Sequence, residues 1–139
     1  MTTKLNFKQA FMAGLMAAGV ATIVNAILFF VFHQIGIISD NIFIQPGQPM
    51  TIVPIIISSI VPTLIAALVF FLLEKFTKNG FKIFRVIAIV LMVLSFMNPF
   101  MGIPGVTVGY AVVLNIMHVV VVGALLFFIG KSVRGNSAV

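Results

Sequence analysis

Asn115 and His118 stand three positions apart inside a long apolar run, a spacing that puts both on one face of a helix. An amide both donates and accepts hydrogen bonds, and an imidazole can donate, accept or take up a proton. Such a pair can orient a polar group, pass a proton, or tie two helices together. Asn25, Ser58, Ser59 and Ser95 sit in three other apolar runs and are the side chains best placed to meet them. The absences narrow the chemistry further. The only acidic residues are Asp40 and Glu74, and neither lies within an apolar run, which argues against carboxylate-based proton or sodium coupling. There is no phosphate-cradling glycine loop, no His-Glu-x-x-His pair and no serine with a base and an orienter at recognisable spacing. His33 and His118 fall at different depths, so the sequence offers no metal site and implies no cofactor. Catalysis would rest on His118 almost alone.

The runs that carry these residues read as membrane spans. Of 139 residues, 62% are hydrophobic and 7% charged, with a mean hydropathy of +1.30. Soluble chains carry roughly a quarter charged residues. All eight Lys and Arg fall on one side of four apolar stretches. Lys4 and Lys8 precede the first, Lys75, Lys78, Lys82 and Arg85 bracket the join between the second and third, and Lys131 and Arg134 follow the fourth. The other two joins carry none, the pattern of four passes with both termini in the cytoplasm. The expected fold is an all-α membrane protein, a single four-helix transmembrane bundle with N-in/C-in topology. Its +6 charge lies in short clusters at helix ends with no basic face, which points to anionic inner-leaflet headgroups and away from nucleic acid. Without cysteine there is no disulfide or thiolate metal site. The first apolar run resembles a signal peptide at its start but continues through Val31 and Phe32, too long for a cleaved segment of about 7 to 15 residues.

Pattern and punctuation predict helices over about residues 9–35, 54–76, 81–98 and 106–130, with an outer loop over 36–53. Pro46-Gly47 sits between two β-prone pieces of that loop and predicts a short hairpin or flap over the bundle mouth, an irregular loop being the alternative. Pro54 suits a first helical turn, Pro62 should kink the second helix, and the nine residues after Gly130 read as a frayed tail. Placed by depth, the polar side chains gather in the half away from the positive charge. Thr22 and Thr63 fall near the middle, while Asn25, Ser58, Ser59, Ser95, Asn98 and Asn115 lie outward of it, with His118 at about the midplane. The other half of the first helix carries Gly14, Ala17, Ala18 and Ala21, spacings of three and four that allow close helix approach.

Plainer readings stand beside these. Asn25 can be interhelical glue, His118 a neutral structural histidine, His33 an interfacial residue, and the serines can bond their own backbone. Val24-Asn25-Ala26, Ser95 with Asn98-Pro99, and Met117-His118-Val119 resemble the pattern of a family of small bacterial four-helix membrane proteins of unknown function. The resemblance covers most of the chain. It implies the four-pass fold in a bacterial cytoplasmic membrane, draws attention to Asn25, Pro99 and His118, and brings no activity. Three functions fit these residues. In the first, an outward-facing cavity lined by Asn25, Asn115, His118 and the serines binds or helps to move a small apolar or lipid-like molecule. The second is an assembly module using the Gly14 stripe or the flap to bind another copy or a protein partner. The third is an intramembrane enzyme with His118 as base.

Overall fold

Residues 4–137 are described by the computed structural model. Helix α1 spans Phe7–Gln34. It begins with a capping box in which the Gln9 amide N–H donates to Asn6 Oδ1 at 2.9 Å and the Asn6 N–H donates to Gln9 Oε1 at 3.0 Å. This places the start before the expected residue 9. The helix ends on Gly36, whose φ of 77° is the left-handed value an L side chain resists. The Gly36 N–H donates to the His33 carbonyl and the Ile37 N–H to that of Phe32, which satisfies the last turn.

A small antiparallel sheet follows, β1 over Phe43–Gln45 and β2 over Gln48–Pro49. Pro46 presets the first corner of its turn and Gly47, at φ 72°, supplies the second. Helix α2 spans Ile52–Phe76 and runs without interruption through Pro62. Pro54 is therefore the third helical residue, still within the turn where a missing N–H is harmless. Helix α3 spans Gly80–Ser95, and after a short break α4 spans Asn98–Gly102. The third expected helix thus stops short of residue 98, and α4 forms where an outer turn was expected. Pro99 has no N–H for the Ser95 carbonyl, so a regular α-helix cannot pass that point unaltered. Helix α5 spans Val108–Ser137. The tail expected to fray is helical as far as it is described, because a helix satisfies its own backbone and can outlast the apolar run that anchors it.

Four helical segments, counting α3 to α4 as one span of 23 residues, are long and apolar enough to cross a membrane, and the chain is a multi-pass membrane protein. One end of the bundle collects the basic residues and the other carries the hairpin. At the basic end, Lys4 Nζ donates to the carbonyls of Lys75 and Thr77, both at 3.1 Å, so a cation sits where the α2 dipole is negative. Gln9 Nε2 donates to Asn136 Oδ1 at 3.2 Å and joins the start of α1 to the end of α5.

Two apolar clusters fill the interior. The cluster at the basic end packs Ala10, Ala13 and Ala17 with Phe70, Phe84, Leu125 and Ile129. Phe70 meets the rings of Phe84 and Phe81 edge-on, with centroids 5.4 and 6.3 Å apart. The cluster at the hairpin end brings Phe29, Ile38, Ile42 and Met50 against Ile55, Tyr110 and Val113. Between them lie the buried polar residues Asn25, Ser59 and Thr63.

The small-residue stripe is consumed within the chain. Ala17, Ala18 and Ala21 are buried, and a Cβ placed on Gly14 would stand 2.5 Å from Ala67 Cβ of α2. That face is pressed against α2, so the stripe packs within the chain. Helix α3 behaves differently. Its buried residues are Gly80 and Phe84, both near the basic end, and the remainder of it stands off from the interior.

Candidate functional site

Asn25 is the polar centre of the interior. Its Nδ2 donates to Ser59 Oγ of α2 at 3.0 Å and to the Met117 carbonyl of α5 at 3.3 Å, so one amide joins three helices. The Met117 carbonyl only accepts, which fixes the orientation of the amide. Asn25 Oδ1 is consequently left buried without a hydrogen-bond partner. Thr63 turns back on its own helix, donating to the Ser59 carbonyl at 2.6 Å.

Ser58 and Ser59 are adjacent in sequence and about 100° apart around α2, and they separate accordingly. Ser59 is fully buried against Asn25. Ser58 donates to the Ile55 carbonyl at 3.1 Å and lines two cavities. Ser95 donates to the Met92 carbonyl at 2.7 Å and reaches no residue of α5 through its hydroxyl. These back-bonds leave the two hydroxyls oriented by backbone rather than by each other.

Asn115 and His118 do not act together. Asn115 Nδ2 donates to the Phe96 carbonyl at 3.1 Å, tying α5 to the frayed end of α3, and its Oδ1 is buried without a partner. The expectation that Asn115 lines the same cavity as Asn25 and His118 is corrected: the break before Pro99 exposes a carbonyl, and Asn115 answers it. His118 Nδ1 lies 2.7 Å from the Leu114 carbonyl one turn back. A carbonyl can only accept, so Nδ1 carries the hydrogen and Nε2 of the neutral ring is an acceptor. The ring is otherwise exposed at the surface of the bundle.

That surface is concave. A cavity of about 410 Å³ opens at the hairpin end, where Asn25, Ser58, Asn98 and His118 supply polar groups and Ile44 and Met50 of the hairpin region form part of the wall. A second cavity of about 510 Å³ lies between α2, α3 and α5, with a nearly wholly apolar lining that includes Ile65, Ala88, Leu91 and Val122. Ser58, His118 and Val121 belong to both. The second cavity exists because α3 leaves the interior after Phe84. Ser59, Ser95 and Asn115 are absent from the lining of the first, which brings together Asn25, Ser58, His118 and Asn98, while Ser95 lines the second. The contribution of Met50 and Ile44 was not legible, since a flap over the bundle mouth does not say which of its side chains turns inward.

Outside the cavities, His33 Nε2 pairs with Asp40 Oδ1 at 3.0 Å and holds the end of α1 to the loop that leads into the hairpin. Among the described residues no group of three His, Cys, Asp or Glu is placed to hold a metal ion. Residues 6–135 match a protein family described as a family of unknown function, DUF6069. No curated protein and no solved structure matches the chain.

Proposed function

We propose, for a chain that belongs to the family of unknown function DUF6069, the binding of a small apolar or lipid-like molecule in the cavity at its hairpin end. In this reading the hairpin end faces away from the cytoplasm and the basic end faces it, in a bacterial cytoplasmic membrane. Support comes from the confinement of all eight Lys and Arg to one end, the bias that orients short loops during insertion. Lys78, Lys82, Arg85 and Lys131 then lie where anionic headgroups gather.

The carrying observation is the cavity of about 410 Å³ in which Asn25, Ser58, Asn98 and His118 converge from α1, α2, α4 and α5. Small-molecule sites are mostly apolar concavities of about 300 to 1,000 Å³ with a few convergent polar groups. A polar side chain turned to the membrane interior is costly unless it has a partner, and a bound molecule would supply one to His118. Movement of the molecule across the outer half would use the same site as its resting place.

Native mass spectrometry of the full chain released from lipid tests the reading. A bound small molecule or lipid at a fixed stoichiometry is expected, and Met50→Trp, which fills the cavity from its wall, should remove it. Equal retention by wild type and Met50→Trp would end the proposal.

A further inference from the structure

The two cavities share Ser58, His118 and Val121 in their walls, so they adjoin, a polar arm towards the hairpin and an apolar arm between α2, α3 and α5. The polar arm has an uneven chemistry. The hydroxyl of Ser58 is already donated to the Ile55 carbonyl, and the Asn25 amide hydrogens go to Ser59 and Met117. What remains is a set of acceptors. His118 Nε2 accepts because Nδ1 holds its hydrogen on the Leu114 carbonyl. Asn25 Oδ1 is also unpaired, though it lies buried behind the wall of the arm. The Ser58 carbonyl lacks its helical donor, because the residue four positions on is Pro62, which has no N–H. Asn98 adds an amide that can serve either way. No Lys, Arg, Asp or Glu lines either arm.

We infer that the space takes an uncharged, single-chain amphiphile whose polar end carries hydroxyl groups. The head donates to His118 and its neighbours in the polar arm, and the chain lies in the groove between α2 and α3. This rests on the cavity-binding reading above and adds the class of ligand. A phosphate or carboxylate head would bring acceptors to acceptors with no cation to offset its desolvation. An ammonium head would find acceptors but no counter-ion, and an unpaired buried charge is strongly disfavoured. A hydroxyl supplies the missing donors at no such cost. The apolar arm is only partly enclosed by α2, α3 and α5, so a chain can enter it sideways from the bilayer.

Four probes with the same saturated chain separate the possibilities: 1-monopalmitin, palmitate, hexadecyl phosphate and hexadecyltrimethylammonium. Each is offered to the purified full chain, and retention is read by native mass spectrometry. Monopalmitin should be retained about tenfold better than any charged probe, the effect of one well-made hydrogen bond and an avoided buried charge. His118→Leu should lower monopalmitin retention by about tenfold and leave the charged probes unchanged, while His118→Gln, which keeps an acceptor, restores most of it. Ala88→Trp, filling the apolar arm, should lower retention of all four. Preference for a charged probe, or equal retention of all four by wild type, overturns the headgroup class and leaves the cavity reading standing. Unaltered retention in His118→Leu removes the assignment to that ring, and in Ala88→Trp the place of the chain. Retention of none overturns both this inference and the reading it rests on.

Discussion

The two halves of the bundle use opposite packing. At the basic end, alanines and Gly14 let α1 press on α2, and the rings of Phe70, Phe81 and Phe84 draw α3 against them. At the hairpin end, polar side chains replace small ones and α3 has left the interior, so the same four spans enclose open space. In hydrocarbon there is no hydrophobic force to close such a gap, because lipid is as apolar as the helix. Close approach must come from shape and from hydrogen bonds. The interior at the basic end is closed by shape, while further along it is tied by the hydrogen bonds of Asn25, and the cavity in which polar groups converge lies beside the second.

The contrast can be broken most strongly at Phe70. It is fully buried, and Phe70→Ala should lower stability by about 3 kcal/mol, the low end for a large aromatic truncation, since lipid takes the place of water as the alternative surroundings. Thermal unfolding in mild detergent would show it, and an unshifted midpoint would mean that the basic end is not held by its rings. Gly14→Leu comes next, at about 1 to 3 kcal/mol of overpacking against Ala67. Gly19→Leu is its control, since nothing lies within 4 Å of a Cβ there. Similar midpoints for the two variants would contradict the close α1 to α2 contact.

Asn115→Leu sharpens the comparison from the other end. Loss of the bond to Phe96 should cost about 0.6 to 2 kcal/mol and widen the distance distribution between spin labels on α3 and α5 near the hairpin. The corresponding distance near Phe84 should stay fixed. If both distances move together, α3 is a rigid member of the bundle and the two halves are not independent. The smallest effect is expected from Asp40→Asn. The His33–Asp40 pair is well exposed, so its loss should change stability by less than about 1 kcal/mol.

Position along the bundle axis was legible in the sequence and azimuth was not. Four spans follow from length and apolar content alone, and the small sheet from a Pro-Gly step between β-prone residues. Ser58 and Ser59 share a depth, yet one turns to Asn25 and the other to the cavity, a difference set by which neighbour α2 meets. Asn115 and His118 share a face by spacing, yet Asn115 is claimed by a carbonyl that the Pro99 break leaves open. The departure of α3 gave no signal, since residues facing lipid and residues facing an apolar groove are of the same kind. The extension of α5 to Ser137 was hidden because Lys131 and Arg134 look like the end of a span, although a helix can carry its charges beyond the hydrocarbon into water. The capping box at Asn6 and Gln9 could have been read and would have placed the start of α1 correctly.

The break after Ser95 reaches beyond the bundle. At about 1.5 Å per residue, the 16 residues of α3 rise about 24 Å, short of the ~30 Å of hydrocarbon in an average bilayer. Helices α1 and α5, at 28 and 30 residues, rise about 42 and 45 Å by the same measure. Only together with α4 does that span reach 23 residues, about 35 Å, and it is still the shortest of the four. The crossing there depends on the turn at Phe96 and Met97 keeping α3 and α4 in line. The same span forms one wall of the apolar cavity, so a bend at that turn would change its reach across the bilayer and the shape of the cavity together.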